Sequence, residues 1–386
     1  MTLFKEYFNL IKDFNSLLNA MIMRDASDLF ITEGLAPSMK INGQIVPIEE
    51  DPITAEQTHQ LAYNIMNSQQ RQEFEDTLEC NFAISRQETG RFRVNIFKQR
   101  HSIGIVLRRI KTDIPTLQAL NMPEQLANIA MAKRGMVVFV GATGSGKSST
   151  LAAMVGHRNR NSSGHIISIE DPIEFIHEHD GCVITQREVG VDTKSFEAAL
   201  QNTLRQAPDV ILIGEVRTRE TMEHALAFSE TGHLCLTTLH ANNANQALER
   251  MINFFPKDRR EQVLLDLSLN LKAIVGQQLI PTVDRKSVYP AVEILLNTPL
   301  VAQLIKQGDI TELKDAMKQS TNLGMITFDQ ALFNLYQEGI ISYDDALHYA
   351  DSANEIRLMI KLSEKDETDE EKEPLEGIRL LNIDEI

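Results

Sequence analysis

The sequence predicts an α/β protein: a mostly parallel sheet covered by helices, preceded by a small α+β domain and followed by a helical region. Three observations predict it. Apolar runs at 136–140, 166–169, 210–213 and 234–239 alternate with helical stretches, as buried parallel strands joined by crossover helices do. The first run leads into Gly141-Ala142-Thr143-Gly144-Ser145-Gly146-Lys147-Ser148, a strand, a glycine-rich loop and a helix start. Ahead of it, residues 91–97 and 102–110 read as strands. In the first of these, Phe92, Val94 and Ile96 face one way while Arg91, Arg93 and Asn95 face the other.

Taken in order, residues 3–23 carry apolar side chains at helical spacing, with one broad face. A strand follows at 28–31, then a hairpin over 38–48 turning at Asn42-Gly43, where both residues tolerate positive φ. Residues 55–75 read as a helix. These elements make up an N-terminal domain, 1–112, with an antiparallel sheet. Residues 113–123, with prolines at 115 and 123, read as a linker. The main domain spans 124–362, and beyond residue 254 its pattern is helical: 263–279, 299–306, 310–318, 326–336, 342–349 and 354–362. Residues 363–386 form an acidic, disordered tail; positions 364–385 hold ten acids against Lys365, Lys372 and Arg379.

The loop at 141–148 has the composition of a phosphate cradle. Gly141, Gly144 and Gly146 let the backbone approach an anion and adopt dihedrals that a Cβ resists. The N–H groups of Ala142, Thr143, Ser145 and their neighbours then surround phosphate oxygens at a helix N-terminus. Lys147 reaches the β- and γ-phosphates, the Ser148 hydroxyl ligates Mg²⁺, and Ser149 beside it completes the nucleotide-binding run. The motif predicts ATP and Mg²⁺ as ligands.

Turnover needs an oriented water and a second hold on the metal. Glu215, just past the strand at 210–213, is placed to hold Mg²⁺, because sheets of this type bind ligands beyond their carboxyl ends; pairing with Arg217 or Arg219 is the other use for it. Glu170, Asp171 and Glu174 cluster after the strand at 166–169, an arrangement of like charges that a cation and a water would relieve. Glu174 is the choice for orienting the water, with Glu170 as the alternative. His233 and His240 bracket one strand, too far apart to share a metal; His240 is placed to sense the γ-phosphate or bond the catalytic carboxylates. One lysine does not balance a triphosphate, so arginines are needed: Arg93 and Arg108 from the N-terminal strands, Arg205, Arg217 and Arg219. If Arg93 and Arg108 reach the nucleotide, the small domain closes as a lid; salt bridges within their own sheet are the alternative.

Composition narrows the rest. The 386 residues carry a net charge of −16 and no Trp, which argues against a broad nucleic-acid-binding surface. Cys80, Cys182 and Cys235 are scattered, as in a protein of a reducing compartment without disulfide or zinc scaffolding. No apolar run is long enough to span a bilayer and no signal peptide is evident, so a cytoplasmic location is expected.

Four blocks together resemble the secretion ATPase superfamily, and within it the type IV pilus retraction ATPases. They are the loop at 141–148 (Walker A), Ile169-Glu170-Asp171-Pro172-Ile173-Glu174-Phe175 (Asp box), residues 207–217 ending Ile213-Gly214-Glu215-Val216-Arg217 (Walker B), and 230–240 with His233 and His240 (His box). Residues 80–85, 158–165, 240–247 and 351–354 are similar to an accessory branch of that family. Members of the main-motor branch carry Ala-Ile-Arg-Asn-Leu-Ile-Arg where residues 299–306 here read Pro-Leu-Val-Ala-Gln-Leu-Ile-Lys.

The resemblance implies a PAS-like N-terminal domain, a RecA-like core and a hexameric ring. It assigns Lys147 and Ser148 to phosphate and Mg²⁺, Glu215 to the metal, Glu174 to the water, and His233 and His240 to nucleotide state. Arg93 and Arg108 would contact phosphates, with Arg217 beside them. It further implies docking on the inner-membrane platform protein at the pilus base, cooperation with a paralogous retraction ATPase, and roles in twitching motility and DNA uptake. The primary retraction motor, a DNA-translocating ATPase and a nucleotide-gated adaptor are the competing readings.

Overall fold

The structure, a computed structural model, describes residues 14–41, 43–86, 90–110 and 113–370, with side chains described to residue 363. The chain divides into two compact units. One holds the residues up to Leu117 together with Ala130–Gly135 and Ser148–Thr237; the other holds Gln118–Ile129, Met136–Lys147 and everything from Thr238 onward.

The N-terminal part of the first unit is α1 (Phe14–Met23), β1 (Asp28–Thr32), β2 (Ser38–Ile41), β3 (Gln44–Pro47), α2 (Ala55–Ile65), α3 (Ser68–Thr77), β4 (Glu79–Arg86), β5 (Gly90–Gln99) and β6 (Ser102–Ile110). Its strands form one sheet in the order β3-β2-β1-β6-β5-β4, every pair antiparallel. Phe92, Val94 and Ile96 are fully buried, as the alternation predicts, in one cluster with Leu17, Leu18 and Met21 of α1. The helix expected over 55–75 is two helices. Each begins with a capping box, Thr54 with Gln57 and Asn67 with Gln70, so the second start interrupts the first helix. β4 was not anticipated, although Cys80 and Phe82 are buried in that cluster and Ile84 packs against it. The start of the helix expected at 3–23, and Asn42 of the expected turn, lie outside the described residues.

The remaining elements are α4 (Gln125–Ala130), β7 (Gly135–Val140), α5 (Lys147–Asn161), β8 (Gly164–Glu170), β9 (Cys182–Glu188), α6 (Phe196–Thr203), β10 (Val210–Ile213), α7 (Arg219–Glu230), β11 (Leu234–Leu239), α8 (Ala244–Asn253), α9 (Arg260–Asn270), β12 (Leu271–Pro281), β13 (Val288–Leu296), α10 (Pro299–Gln307), α11 (Leu313–Lys318), α12 (Phe328–Gln337), α13 (Tyr343–His348) and α14 (Ala353–Glu370). In the first unit β8 lies between β9 and β10, and β10 pairs with β11, all parallel. In the second, β12 runs parallel to β7 and antiparallel to β13. β7, β10 and β11 are buried along their whole length, which is why they read as unbroken apolar runs.

A further expectation is corrected. Residues 263–279 are not one helix: α9 ends at Asn270 and β12 begins at Leu271. A short apolar stretch such as Ala273-Ile274-Val275 has no decisive period, and pairing with Val137, Val138 and Phe139 of β7 settles it as strand. β13 was missed for the same reason. The later helices of the C-terminal region lie where expected, except that α14 runs on to Glu370, past residue 363 where the disordered tail was expected to begin. Phe328, Leu332, Leu335, Ile356 and Ile360 form their shared core with Ile280 of β12. Among the described residues no helix is long and apolar enough to cross a membrane.

Candidate nucleotide site

The glycine-rich loop leaves β7 and closes into α5, whose first residue is Lys147. Gly141, Gly144 and Gly146 have φ of 148°, 82° and 89°, the region that glycine alone enters without strain. At two of them there is also no room for a side chain. A Cβ on Gly141 would lie 2.4 Å from the Gln277 carbonyl oxygen, and one on Gly146 would lie 2.7 Å from Gln277 Nε2. Lys147 Nζ donates to the carbonyls of Gly141 at 2.7 Å and Ala142 at 2.9 Å, and the Ser145 N–H donates to Ala142 O at 3.2 Å. The loop is thereby curled around the lysine, which is buried. Ser145 Oγ is buried with no partner, a polar atom set for a ligand's oxygen.

The acidic residues belong to the other unit. β8 and β10 are parallel neighbours in register, Ile169 opposite Ile213, so Glu170 and Glu215 follow adjacent strand tips. Gly214 makes this close: its N–H donates to Ile169 O at 2.8 Å, and a Cβ there would sit 3.1 Å from Glu170 Cα. Glu170 is engaged by its own surroundings. Its Oε1 accepts Ser168 Oγ at 2.6 Å and Gln186 Nε2 at 3.3 Å. Burial pushes its carboxyl above the usual range, the charge of Glu174 adds to that, and the Ser168 and Gln186 bonds oppose it. Glu174 is exposed on the following loop. Glu215 accepts from Arg217 Nε at 2.8 Å and Nη2 at 2.7 Å, and these bonds raise the Arg217 guanidinium above its ordinary value.

The loop carrying Glu174 is held by a residue that the sequence did not reveal. Gln186 on β9 donates to the Phe175 carbonyl at 2.9 Å and accepts the His177 N–H at 2.8 Å, besides reaching Glu170. No motif marks a glutamine of this kind, and β9 itself was not foreseen. His177, read as charged loop, is half-buried, and burial lowers its imidazole to about 4.

The remaining predicted residues are dispersed. Arg93 and Arg108 are directly opposite on β5 and β6. Arg108 Nε donates to the buried Asp28 at 2.8 Å, the salt bridge within the sheet that was the alternative to a nucleotide contact, although its side chain remains 68% exposed. Arg219 pairs with Glu223 on α7, and Arg205 is exposed. His233 Nδ1 lies 3.1 Å from Thr231 Oγ1 and 3.2 Å from Phe228 O, whereas His240 is exposed past the far end of β11. Six strand residues put roughly 20 Å between them.

The residues fit a magnesium ion carried largely by phosphate. Ser148 offers a hydroxyl in the first turn of α5 beside a cradle that a Cβ would fill, and Glu215 offers a carboxylate. Among the described residues no group of three or more His, Cys, Asp or Glu side chains could hold a metal by itself.

A glycine-rich loop that leaves a buried strand and closes on the lysine opening the next helix defines a P-loop nucleotide-binding protein. The model of the type II/IV secretion system protein family matches residues 5–322, and the chain belongs to that family. It is 61% identical to the type IV pilus ATPase PilU of Pseudomonas aeruginosa over 95% of this chain and 96% of that protein. To the type IV pilus retraction ATPase PilT of the same organism it is 39% identical, over 86% and 97%. It is therefore more similar to that PilU than to that PilT, as residues 80–85, 158–165, 240–247 and 351–354 predicted. Among solved structures, the crystal structure of the pilus retraction motor PilT with bound ADP matches with a TM-score of 0.84 at 35% identity, covering 89% of this chain and 99% of that one.

Proposed function

We propose that the chain is a magnesium-dependent, ATP-hydrolysing motor that forms a hexameric ring and assists type IV pilus retraction beside a paralogous retraction ATPase. The ring works from the cytoplasmic side of the inner membrane against the pilus platform protein. The observation that carries the reading is the in-register pairing of β8 with β10, which ends in Glu170-Asp171…Glu174 on one tip and Glu215 on the next. The similarity to PilU over nearly the whole chain supports the pilus role.

Each residue then has a distinct task. The N–H groups at 142–148 bind phosphate oxygens, and Lys147 turns from its own loop carbonyls to the β- and γ-phosphates. When bound, Mg²⁺ would neutralise phosphate charge, and Ser148 and Glu215 are the residues that would hold it. Glu174 orients the attacking water, its carboxylate exposed while Oε1 of Glu170 already accepts from Ser168 and Gln186. Arg93, Arg108 and Arg217 balance phosphate charge, and His233 and His240 report nucleotide state to the rest of the ring.

Steady-state ATPase assays of Lys147→Ala and Glu174→Gln proteins test the chemistry. Both should lose turnover by about a hundredfold or more. Wild-type turnover in Glu174→Gln would contradict the assignment of the water-orienting residue. A retraction assay of the Lys147→Ala strain, with and without an active paralogue, tests the accessory role. Retraction that survives only when the paralogue is active is expected; loss in both backgrounds favours a primary motor.

A further inference from the structure

Glu188, at the end of β9, joins two parts of the first unit. Its Oε2 lies 3.4 Å from Arg91 Nη2 on β5 of the N-terminal sheet and accepts the Ile173 N–H at 3.3 Å. Ile173 immediately precedes Glu174. The Glu188 side chain is 4% exposed and that of Arg91 19%, so this is a largely buried pair. Glu188 is also fixed from behind. Its N–H donates to Asp192 Oδ2 at 2.9 Å, and its carbonyl accepts the N–H groups of Val191, Asp192 and Thr193. Its Cα is opposite Glu170. Arg91 Nε is buried with no hydrogen-bond partner, and among the described residues Glu188 is the ion-pair partner of the guanidinium.

A buried ion pair is a poor device for stability alone, because desolvating both charges offsets most of their attraction. This one has a geometric consequence instead. The carboxylate that meets the N-terminal sheet also bonds the backbone one residue from the water-orienting acid. A displacement of β5 is passed through Arg91 and Glu188 to the Ile173 amide and so to the aim of Glu174.

We propose that Arg91 and Glu188 are positioning residues that couple the N-terminal sheet to the Asp-box loop and set the orientation of Glu174. The proposal rests on the reading of Glu174 as the residue that orients water. Neither residue contacts the reacting atoms in this scheme. Their effect is on the frequency of productive water alignment, not on nucleotide affinity.

The test is steady-state ATPase kinetics on full-length Arg91→Gln, Glu188→Gln and the double variant, with thermal melting and titration of a fluorescent ADP analogue. Each single variant should lower kcat by about tenfold while KM and ADP affinity stay within about twofold. Because the two act as one link, the double variant should lose no more than either single. An unchanged kcat, losses that multiply in the double, or a KM that rises as kcat falls would each overturn the proposal. Should a glutamine variant fail to fold, Glu188→Asp decides. It keeps the charge but withdraws the carboxylate by one methylene, so unchanged kcat overturns the proposal and a loss at unchanged KM supports it. Glu174→Gln run alongside separates the two readings. Its loss of turnover with Arg91→Gln and Glu188→Asp unaffected removes the coupling and leaves the Glu174 assignment standing; wild-type turnover in Glu174→Gln removes the assignment itself.

Discussion

Gln277 closes the space behind Gly141: its carbonyl oxygen stands 2.4 Å from where a Cβ on that glycine would be. The obstacle is backbone of β12, which cannot swing aside, and the φ of 148° is itself strained for any other residue. Gly141→Ala should therefore weaken binding of a fluorescent ADP analogue by at least about tenfold. At Gly146 the opposing atom is the end of a flexible side chain, so Gln277→Ala should partly restore binding to a Gly146→Ala protein. Equal affinity for Gly141→Ala and wild type would show that the loop rearranges freely.

Glu170 and Glu174 differ in what surrounds them, and the difference predicts their variants. Glu170 is held by Ser168 and Gln186, and a glutamine there can still accept one of those bonds. Glu174→Gln should accordingly lower kcat by at least about tenfold more than Glu170→Gln does. The reverse order in a turnover assay would move the water-orienting role to Glu170.

How far the sequence carried is visible at these residues. The loop at 141–148 and the strands before Glu170 and Glu215 were legible because each joins a rigid backbone requirement to an unbroken apolar run. Gln186, Gln277 and Glu188 were not. Gln186 and Glu188 act through bonds to the backbone of the loop at 173–177, and Gln277 by standing against Gly141 and Gly146. They sit on β9 and β12, whose strand character comes from pairing with neighbours and not from period. Arg108 was legible as a strand residue, but its partner Asp28, 80 residues away, was not.

That partner predicts a separation of stability from activity. Asp28 is buried and also accepts Ser27 Oγ at 2.9 Å, while Arg108 is mostly exposed. Removing Arg108 leaves the buried Asp28 carboxylate, among the described residues, with the Ser27 hydroxyl alone, at a cost of about 1–3 kcal/mol. Arg108→Ala should thus melt below wild type, and a fall in kcat/KM for ATP measured well below its melting temperature would then report contact with phosphate. Wild-type kcat/KM would confine Arg108 to its salt bridge.

Glu293 supplies a prediction in pH. On β13, its Oε1 accepts the Ala244 N–H of α8 at 2.7 Å and its Oε2 the Phe328 N–H of α12 at 3.4 Å, with 1% of the residue exposed. Burial raises its carboxyl to about 7, the Ala244 N–H opposes that rise, Asp351 adds to it, and Lys314 and the Phe328 N–H oppose it. The folded value exceeds the ordinary 4.5, so the folded protein holds a proton that the unfolded chain releases first. The stabilisation is fully present below the unfolded value and is lost as pH rises through the folded one. Wild type should therefore lose stability relative to Glu293→Gln between pH 4.5 and about 7, by up to about 3 kcal/mol, and the difference should be flat above that window. Urea melts of the two proteins at several pH values measure it. A difference that stays constant from pH 5 to 8 would mean that Glu293 does not titrate within the folded core.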